Sequence, residues 1–383
     1  MWIDNDKDFS NWCAEAQQHS AIALDTEFVW TKTYYPALGL LQMAWDRENT
    51  ALVDVFAITD TTPLAALLQS ADITKIFHEA ASDLPILRRW CGGSILPQTI
   101  FDTRIAAGFV GLTASLSLNR LLTQALGITL PKTETRTDWL QRPLTTAQLE
   151  YASGDVDFMP ELYSILSNRL KTNGNEAWFL EEMLQYSAEK YYAPISPADS
   201  WKRVSGNGRY SGNRLAIIAE LAAWREKFAC QNNIARPRVI SDEQICLCAE
   251  TTPQTAAELI KSAGMRPKNA ERYALPILNA IARGMALPIE QCPAHKLLPL
   301  DSKVFKDRTK RIKKLVLKRS SARDIDSVLV ASRKDMESLV IASATTPWPI
   351  RHPLLEGWKR ELLGDTIEQL VRTEFSATPS LFN

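Results

Sequence analysis

The stretch Ile22-Ala23-Leu24-Asp25-Thr26-Glu27-Phe28 sets two acids into an apolar run of β-strand length. Alternate residues of a strand point the same way, so Asp25 and Glu27 share a face, roughly 7 Å apart from the rise per residue. Two carboxylates on one face of a buried strand repel each other and resist desolvation. A fold that accepts them must offset that repulsion. Taken alone, Asp-x-Glu reads first as a strand-end acid held in a salt bridge. Further carboxylates arriving at the same place would favour a divalent cation instead.

Two further segments supply them. Asp83 lies in His78-Glu79-Ala80-Ala81-Ser82-Asp83-Leu84-Pro85, directly after the strand-like run Ile73 to Phe77. Ser82, Asp83 and Pro85 suit the first turn of a helix, so Asp83 by itself reads as a helix cap. Then comes Glu150-Tyr151-Ala152-Ser153-Gly154-Asp155-Val156-Asp157. Thr145 and Gln148 fit a capping box at the start of that helix. Tyr151 and Asp155 are one turn apart and share a face, whereas Asp157 points elsewhere as a solvated helix residue.

Asp25-x-Glu27, Asp83 and Tyr151-x3-Asp155 together resemble the four-acid exonuclease superfamily in its tyrosine form. The histidine form carries its His five residues before the last Asp, and that position is Glu150 here. Surrounding text narrows the resemblance. Thr33-Tyr34-Tyr35-Pro36-x-Leu38-x-Leu40-x-Gln42, Arg136-Thr137-Asp138-Trp139-Leu140-x-Arg142-Pro143-Leu144 and Tyr151-Ala152-x-x-Asp155-Val156 are similar to bacterial ribonuclease D. Leu221-Ala222-x-Trp224-Arg225-Glu226 and Arg236-Pro237-Arg238-Val239-Ile240-Ser241-Asp242 resemble the helical domain shared by RecQ-type helicases and the C-terminus of ribonuclease D, the HRDC domain.

The resemblance implies a ribonuclease H-like mixed-sheet exonuclease domain followed by two small helical bundles, an α/β plus all-α chain. The expected bounds are 1–200 for the nuclease, 211–292 for the first helical nucleic-acid-binding domain and 298–376 for a second, divergent one. The implied activity is 3′→5′ hydrolysis of RNA by two metal ions, releasing 5′-mononucleotides, with precursor transfer RNA as substrate. Asp25, Glu27, Asp83 and Asp155 would hold the metals, and Tyr151 would orient the attacking water. Hard carboxylate oxygens suit Mg²⁺ or Mn²⁺. Two other readings stay open: a DNA exonuclease of the Werner-type branch, and a nucleic-acid-binding scaffold whose acids no longer catalyse. A helicase is excluded by the lack of a Gly-x4-Gly-Lys-Ser/Thr loop, so no nucleotide cofactor is expected.

At 383 residues, with 45% hydrophobic and 23% charged residues, the chain reads as a globular protein of two or three domains. Its apolar runs are too short for a membrane span. The six cysteines are scattered without a Cys-x-x-Cys pair, which fits reduced thiols in a cytoplasm. A formal net charge of zero hides an asymmetry: residues 1–200 hold 25 acids and 14 bases, residues 201–383 hold 19 and 30. The basic half suits a polyanion. Nine Lys and Arg fall between Lys303 and Arg319. Lys306, Lys310, Lys313 and Lys314 lie with Lys303 on one helical stripe, as either a nucleic-acid surface or a solvated face. Lys132, Arg136 and Arg142, just before the Tyr151 helix, could likewise reach a phosphate or stay in solvent.

The remaining pattern places the acids on elements. Strands are expected at Ala21–Phe28, Leu38–Trp45, Ala51–Val55, Ile73–Phe77 and Thr99–Phe101, interleaved with helices at Pro63–Gln69, Ser82–Trp90 and Thr103–Val110. Asp102 reads as the cap of the last of these. Pro194, Pro197, Gly206 and Gly208 mark a break, beyond which nearly everything is helical. Ser241 and Gln244 form a second capping box, and a weaker echo begins at Ala331 to Asp335.

Overall fold

The computed structural model describes residues 1–131, 137–295 and 300–374. Strand β1 (Trp2–Ile3) precedes helix α1 (Asp6–Ala16), and β2 (Ala21–Val29), β3 (Ala37–Ala44) and β4 (Thr50–Val53) follow. Helix α2 (Thr62–Gln69), β5 (Thr74–Phe77), α3 (Ala80–Trp90), β6 (Ile100–Asp102) and α4 (Thr103–Phe109) complete the alternating part. The six strands form one sheet in the order β1-β4-β3-β2-β5-β6. It is mixed, as expected: β3 and β4 are antiparallel, while β2 pairs in parallel with β5, and β5 with β6. Each expected strand is present within two residues of its reading; the two-residue β1 carries too little pattern to be seen in sequence.

Helices α5 (Leu118–Leu126), α6 (Thr146–Asp157), α7 (Met159–Thr172), α8 (Glu176–Met183) and α9 (Glu189–Tyr192) come next. The α6 capping box is formed: the Thr145 side chain accepts from the Gln148 N–H, and Gln148 reaches back to the Thr145 N–H. Asp157 departs from its reading. Its carboxylate accepts a 2.6 Å hydrogen bond from the Thr50 hydroxyl, tying α6 to β4, and burial holds its pKa above the ordinary value.

The chain divides into two compact units. The second comprises Val29–Ala37 and Ala193–Leu297. It contains α10 (Gly212–Gln231), α11 (Arg236–Val239), α12 (Asp242–Thr251), α13 (Ala256–Ala263) and α14 (Pro267–Ala286). Its core is its own, built on Leu215, Ile218, Leu221, Ile245, Tyr273 and Ile277. Within it Glu226 is 4% exposed and receives both Arg236 (2.6 and 2.7 Å) and the Tyr34 hydroxyl (2.5 Å). Burial alone would raise Glu226, but those bonds pull its pKa below the ordinary value.

The first unit takes up the chain again at Leu298. Its later helices are α15 (Ser302–Ser321), α16 (Ser327–Val330), α17 (Arg333–Thr345), α18 (Gly357–Leu363) and α19 (Asp365–Gln369). They share one hydrophobic core with the sheet: Ile312, Val316, Leu339, Leu354 and Trp358 join Phe77, Phe109 and Leu166.

Candidate active site

The site grows from β2. Its apolar residues Ile22, Ala23 and Leu24 are fully buried and fix the strand at the centre of the sheet, which leaves Asp25 and Glu27 only partly buried. Asp25, Glu27 and Asp155 each bring a carboxylate oxygen within 4.8 Å of the others. Among the described residues this is the one such group of His, Cys, Asp or Glu. Sequence spacing put two of these acids on one strand face, and α6 delivers the third from 128 positions later.

Asp83 stands beside this trio and does not cap its helix. It is 3% exposed and accepts from the Thr26 hydroxyl and the Thr26 backbone N–H. The start of α3 is held by Asp102 instead, whose carboxylate accepts from the N–H groups of Glu79 (3.2 Å) and Ala80 (2.9 Å). The same carboxylate caps α4 through Arg104 (2.9 Å) and Ile105 (3.4 Å). One buried acid therefore registers two helix starts, and Glu79 enters α3 through a left-handed φ of 74°. The Asp102 cap on α4 was legible from sequence; its hold on α3, and the Thr26 contact, carry no local signal.

The electrostatics follow from crowding. Burial, then the charges of Asp83, Asp155 and Glu27, raise Asp25 well above the carboxylate range. Burial and the Asp155 and Asp83 charges push Glu27 up to about 8. Burial lifts Asp83 to about 7 despite the Thr26 hydroxyl. Burial also lifts Asp155 to about 6, against a hydrogen bond from Tyr151. The all-oxygen donor set of this cluster fits a hard divalent cation, whose binding would displace the protons that burial and crowding hold there. Burial and the Asp155 charge hold the Tyr151 phenol far above its ordinary pKa, so it stays protonated.

A cavity of about 400 Å³ opens at Tyr151 and Asp155, lined also by Leu118, Asn119, Leu130 and Gly154. That volume suits a small ligand such as one nucleotide. Larger clefts, of about 750 Å³ in the second unit and 930 Å³ beside α15, contain none of the acids. Lys306, Lys310, Lys313 and Lys314 are exposed on α15, far along the chain from the acids. Lys132 and Arg136 lie outside the described residues. Arg142 is half-buried, and its guanidinium is engaged by protein acceptors in place of a phosphate. It is bonded to Gly39, Trp139, Gln141 and Asp54.

Residues 1–171 match the 3′-5′ exonuclease family and residues 214–281 the HRDC domain. The chain is 33% identical over 366 residues to ribonuclease D of Desulfotalea psychrophila, across 95% of this chain and 96% of that one. It is 31% identical over 377 residues to ribonuclease D of Escherichia coli, across 97% and 98%. The crystal structure of Escherichia coli RNase D, an exoribonuclease involved in structured RNA processing, matches with a TM-score of 0.87 and 30% identity over 99% of both chains. No described helix is long and apolar enough to cross a membrane.

Proposed function

We propose how this chain, which belongs to the ribonuclease D family and is a 3′–5′ exoribonuclease, cuts its substrate. Asp25, Glu27, Asp83 and Asp155 would hold two divalent cations, Mg²⁺ or Mn²⁺, with Asp25, Glu27 and Asp155 serving one and Asp25 with Asp83 the other. When bound, the cations activate water and neutralise the charge that develops on the departing 3′-oxygen. The observation that carries this reading is the convergence of three raised carboxylates within 4.8 Å, with a fourth beside them.

Tyr151 orients the attacking water rather than deprotonating it, because a phenol held above its ordinary pKa is a poor base at neutral pH. Its hydroxyl sits on Asp155, one helical turn away, beside the nucleotide-sized cavity. The product is a 5′-mononucleotide. We assign RNA with free 3′ ends, transfer RNA precursors among them, as substrate, and the unpaired cysteines support a cytoplasmic setting. The exposed lysines Lys306, Lys310, Lys313 and Lys314 are our choice for RNA backbone contact, with residues 298–376 read as a second, divergent helical module. Its sequence of a 20-residue helix, a four-residue helix and a capping-box helix repeats that of α10, α11 and α12.

The test uses 5′-labelled RNA and DNA strands with Mg²⁺. The protein should shorten RNA from its 3′ end one nucleotide at a time, and Asp25→Asn should abolish this while the protein stays folded. Wild-type turnover by Asp25→Asn would overturn the metal-site assignment. Faster cleavage of DNA than RNA would overturn the substrate assignment.

A further inference from the structure

Arg142 sits in the link between the nuclease sheet and α6, where a phosphate ligand would be well placed. The structure gives its guanidinium another task. Its Nη1 donates to the carbonyls of Trp139 and Gln141, both at 3.0 Å. Its Nη2 donates to the Gly39 carbonyl at 2.6 Å and to the Asp54 carboxylate at 2.8 Å. The four terminal N–H groups are thus all taken by protein acceptors. The Phe56 ring covers the guanidinium at 4.7 Å. Such a planar fork joins three backbone carbonyls and one carboxylate at fixed angles, which a lysine ammonium cannot reproduce.

What the fork holds is Trp139. That residue is 3% exposed and lies directly on β3 at Gly39. A Cβ at position 39 would sit 2.5 Å from the Trp139 carbonyl oxygen and 2.8 Å from its Cβ, so only glycine admits this approach. The Trp139 ring in turn packs against the Tyr151 ring, with centroids 6.1 Å apart. A second tie runs beside it: Gln148 of the α6 capping box donates to the Thr137 hydroxyl at 3.1 Å. The link therefore braces both the start of α6 and the ring one turn further on.

We propose that Arg142 is a positioning residue for Tyr151, acting through Trp139 pinned on Gly39. This rests on the reading that Tyr151 orients the water. Displacing an orienting group by about an ångström lowers rate rather than substrate affinity, by up to roughly 10²-fold. Substitution of Arg142 therefore acts on turnover and loses its effect once the phenol is gone.

The experiment is a double-substitution cycle on the full chain with Mg²⁺ and a short single-stranded RNA, reading kcat and KM separately. Arg142→Lys should lower kcat by roughly tenfold or more and leave KM within about twofold. Asp54→Asn, which keeps the side-chain shape and weakens one arm of the fork, should do the same to a lesser degree. Tyr151→Phe should lower kcat alone, and adding Arg142→Lys to it should cost little more. The proposal fails if Arg142→Lys multiplies the loss in the Tyr151→Phe background, or if it raises KM in place of lowering kcat. It also fails if Arg142→Lys turns over normally while Tyr151→Phe does not. Normal turnover by Tyr151→Phe would instead bring down the underlying reading of the tyrosine, and the positioning role with it.

Discussion

Two runs of helices, one in the HRDC region and one after Leu298, begin alike and end differently. Each opens with a 20-residue helix, follows with a four-residue helix and starts its third helix with a serine capping box. The first then closes on itself: α10 and α14 cross so tightly that a Cβ on Gly284 would lie 2.6 Å from the Ile217 backbone. Among the described residues the second builds no core separate from that of the sheet. Trp358 of α18 meets Phe109 at 5.0 Å, and Phe109, Phe179 and Phe101 continue the aromatic packing to β6 of the sheet. Polar ties follow the same route. Asp326 accepts from the Thr113 hydroxyl (3.0 Å) and Ala114 N–H (2.9 Å), and Trp358 donates to Glu181 and Glu182. What separates the modules is where their apolar faces go: one pair of helices buries its face internally, the other against the nuclease.

An equivalent lesion in each run of helices should have opposite consequences. Trp358→Ala removes a side chain that is 2% exposed, and large-to-small changes of this kind cost about 3–5 kcal/mol. The loss should fall on the nuclease, lowering its melting temperature and its half-life at working temperature. Gly284→Val forces two helix backbones apart and should abolish the melting transition of the second unit. The nuclease transition and cleavage of short strands should then survive. Calorimetry with a parallel cleavage assay decides it. A Trp358→Ala protein whose nuclease melts normally would mean that the second module is only an appendage.

Legibility from sequence divides along the same line. The strands were readable because apolar runs such as Leu38 to Ala44 have the length and continuity of buried strands. Tyr151 and Asp155 were readable as neighbours because helix geometry is periodic. Ser241 and Ser332 announced their helices by local capping chemistry. What could not be read is which partner an apolar face selects. The face of α15 containing Ile312 and Val316 looks the same in sequence whether it closes a bundle or lies on a nuclease core. The 1–200 bound expected for the nuclease ends where local pattern breaks, while the compact unit resumes at Leu298. The inward turn of Arg142 was hidden for the same reason, since Gly39 and Asp54 are about a hundred positions away.

Acid–base behaviour should also differ between the two units, with a smaller effect. Glu27, Asp83 and Asp155 are raised to about 8, 7 and 6 in the folded nuclease. Between their ordinary values near 4 and these values the folded state holds protons that the unfolded chain has released. Stability is therefore present below about pH 4 and is lost as pH rises through the folded values. Glu226 in the second unit is shifted the other way, so its contribution is lost only on acidification. In metal-free protein the nuclease transition should fall between pH 5 and 8 while the other stays level. Mg²⁺ should raise the nuclease transition most at the alkaline end, because it replaces protons that are no longer bound. A nuclease transition that rises with pH in chelator would contradict the crowded-carboxylate picture.

The mildest test asks whether modules held differently also work differently. On α15 the buried face is Arg308, Ile312, Val316 and Ser320, and the exposed face carries Lys306, Lys310, Lys313 and Lys314. Three of these four line the 930 Å³ cleft beside α16 and α17. The first module offers a smaller exposed basic group at the start of α14, Arg266, Lys268 and Arg272. Lysines that neutralise phosphates release counterions, so removing each such lysine should flatten the slope of log affinity against log salt by about 0.7–0.9. Changing the four α15 lysines to Ala should therefore weaken RNA binding at low salt and flatten that slope by more than the α14 triple does. Neither set should shift melting by much, because exposed substitutions stay within about 0.5 kcal/mol. Turnover at saturating RNA should be unchanged in both. If only the α14 set flattens the slope, then the independent module holds the RNA and the fused one serves the nuclease core alone. If neither does, both basic groups are solvated faces, and the affinity for RNA resides in the nuclease itself.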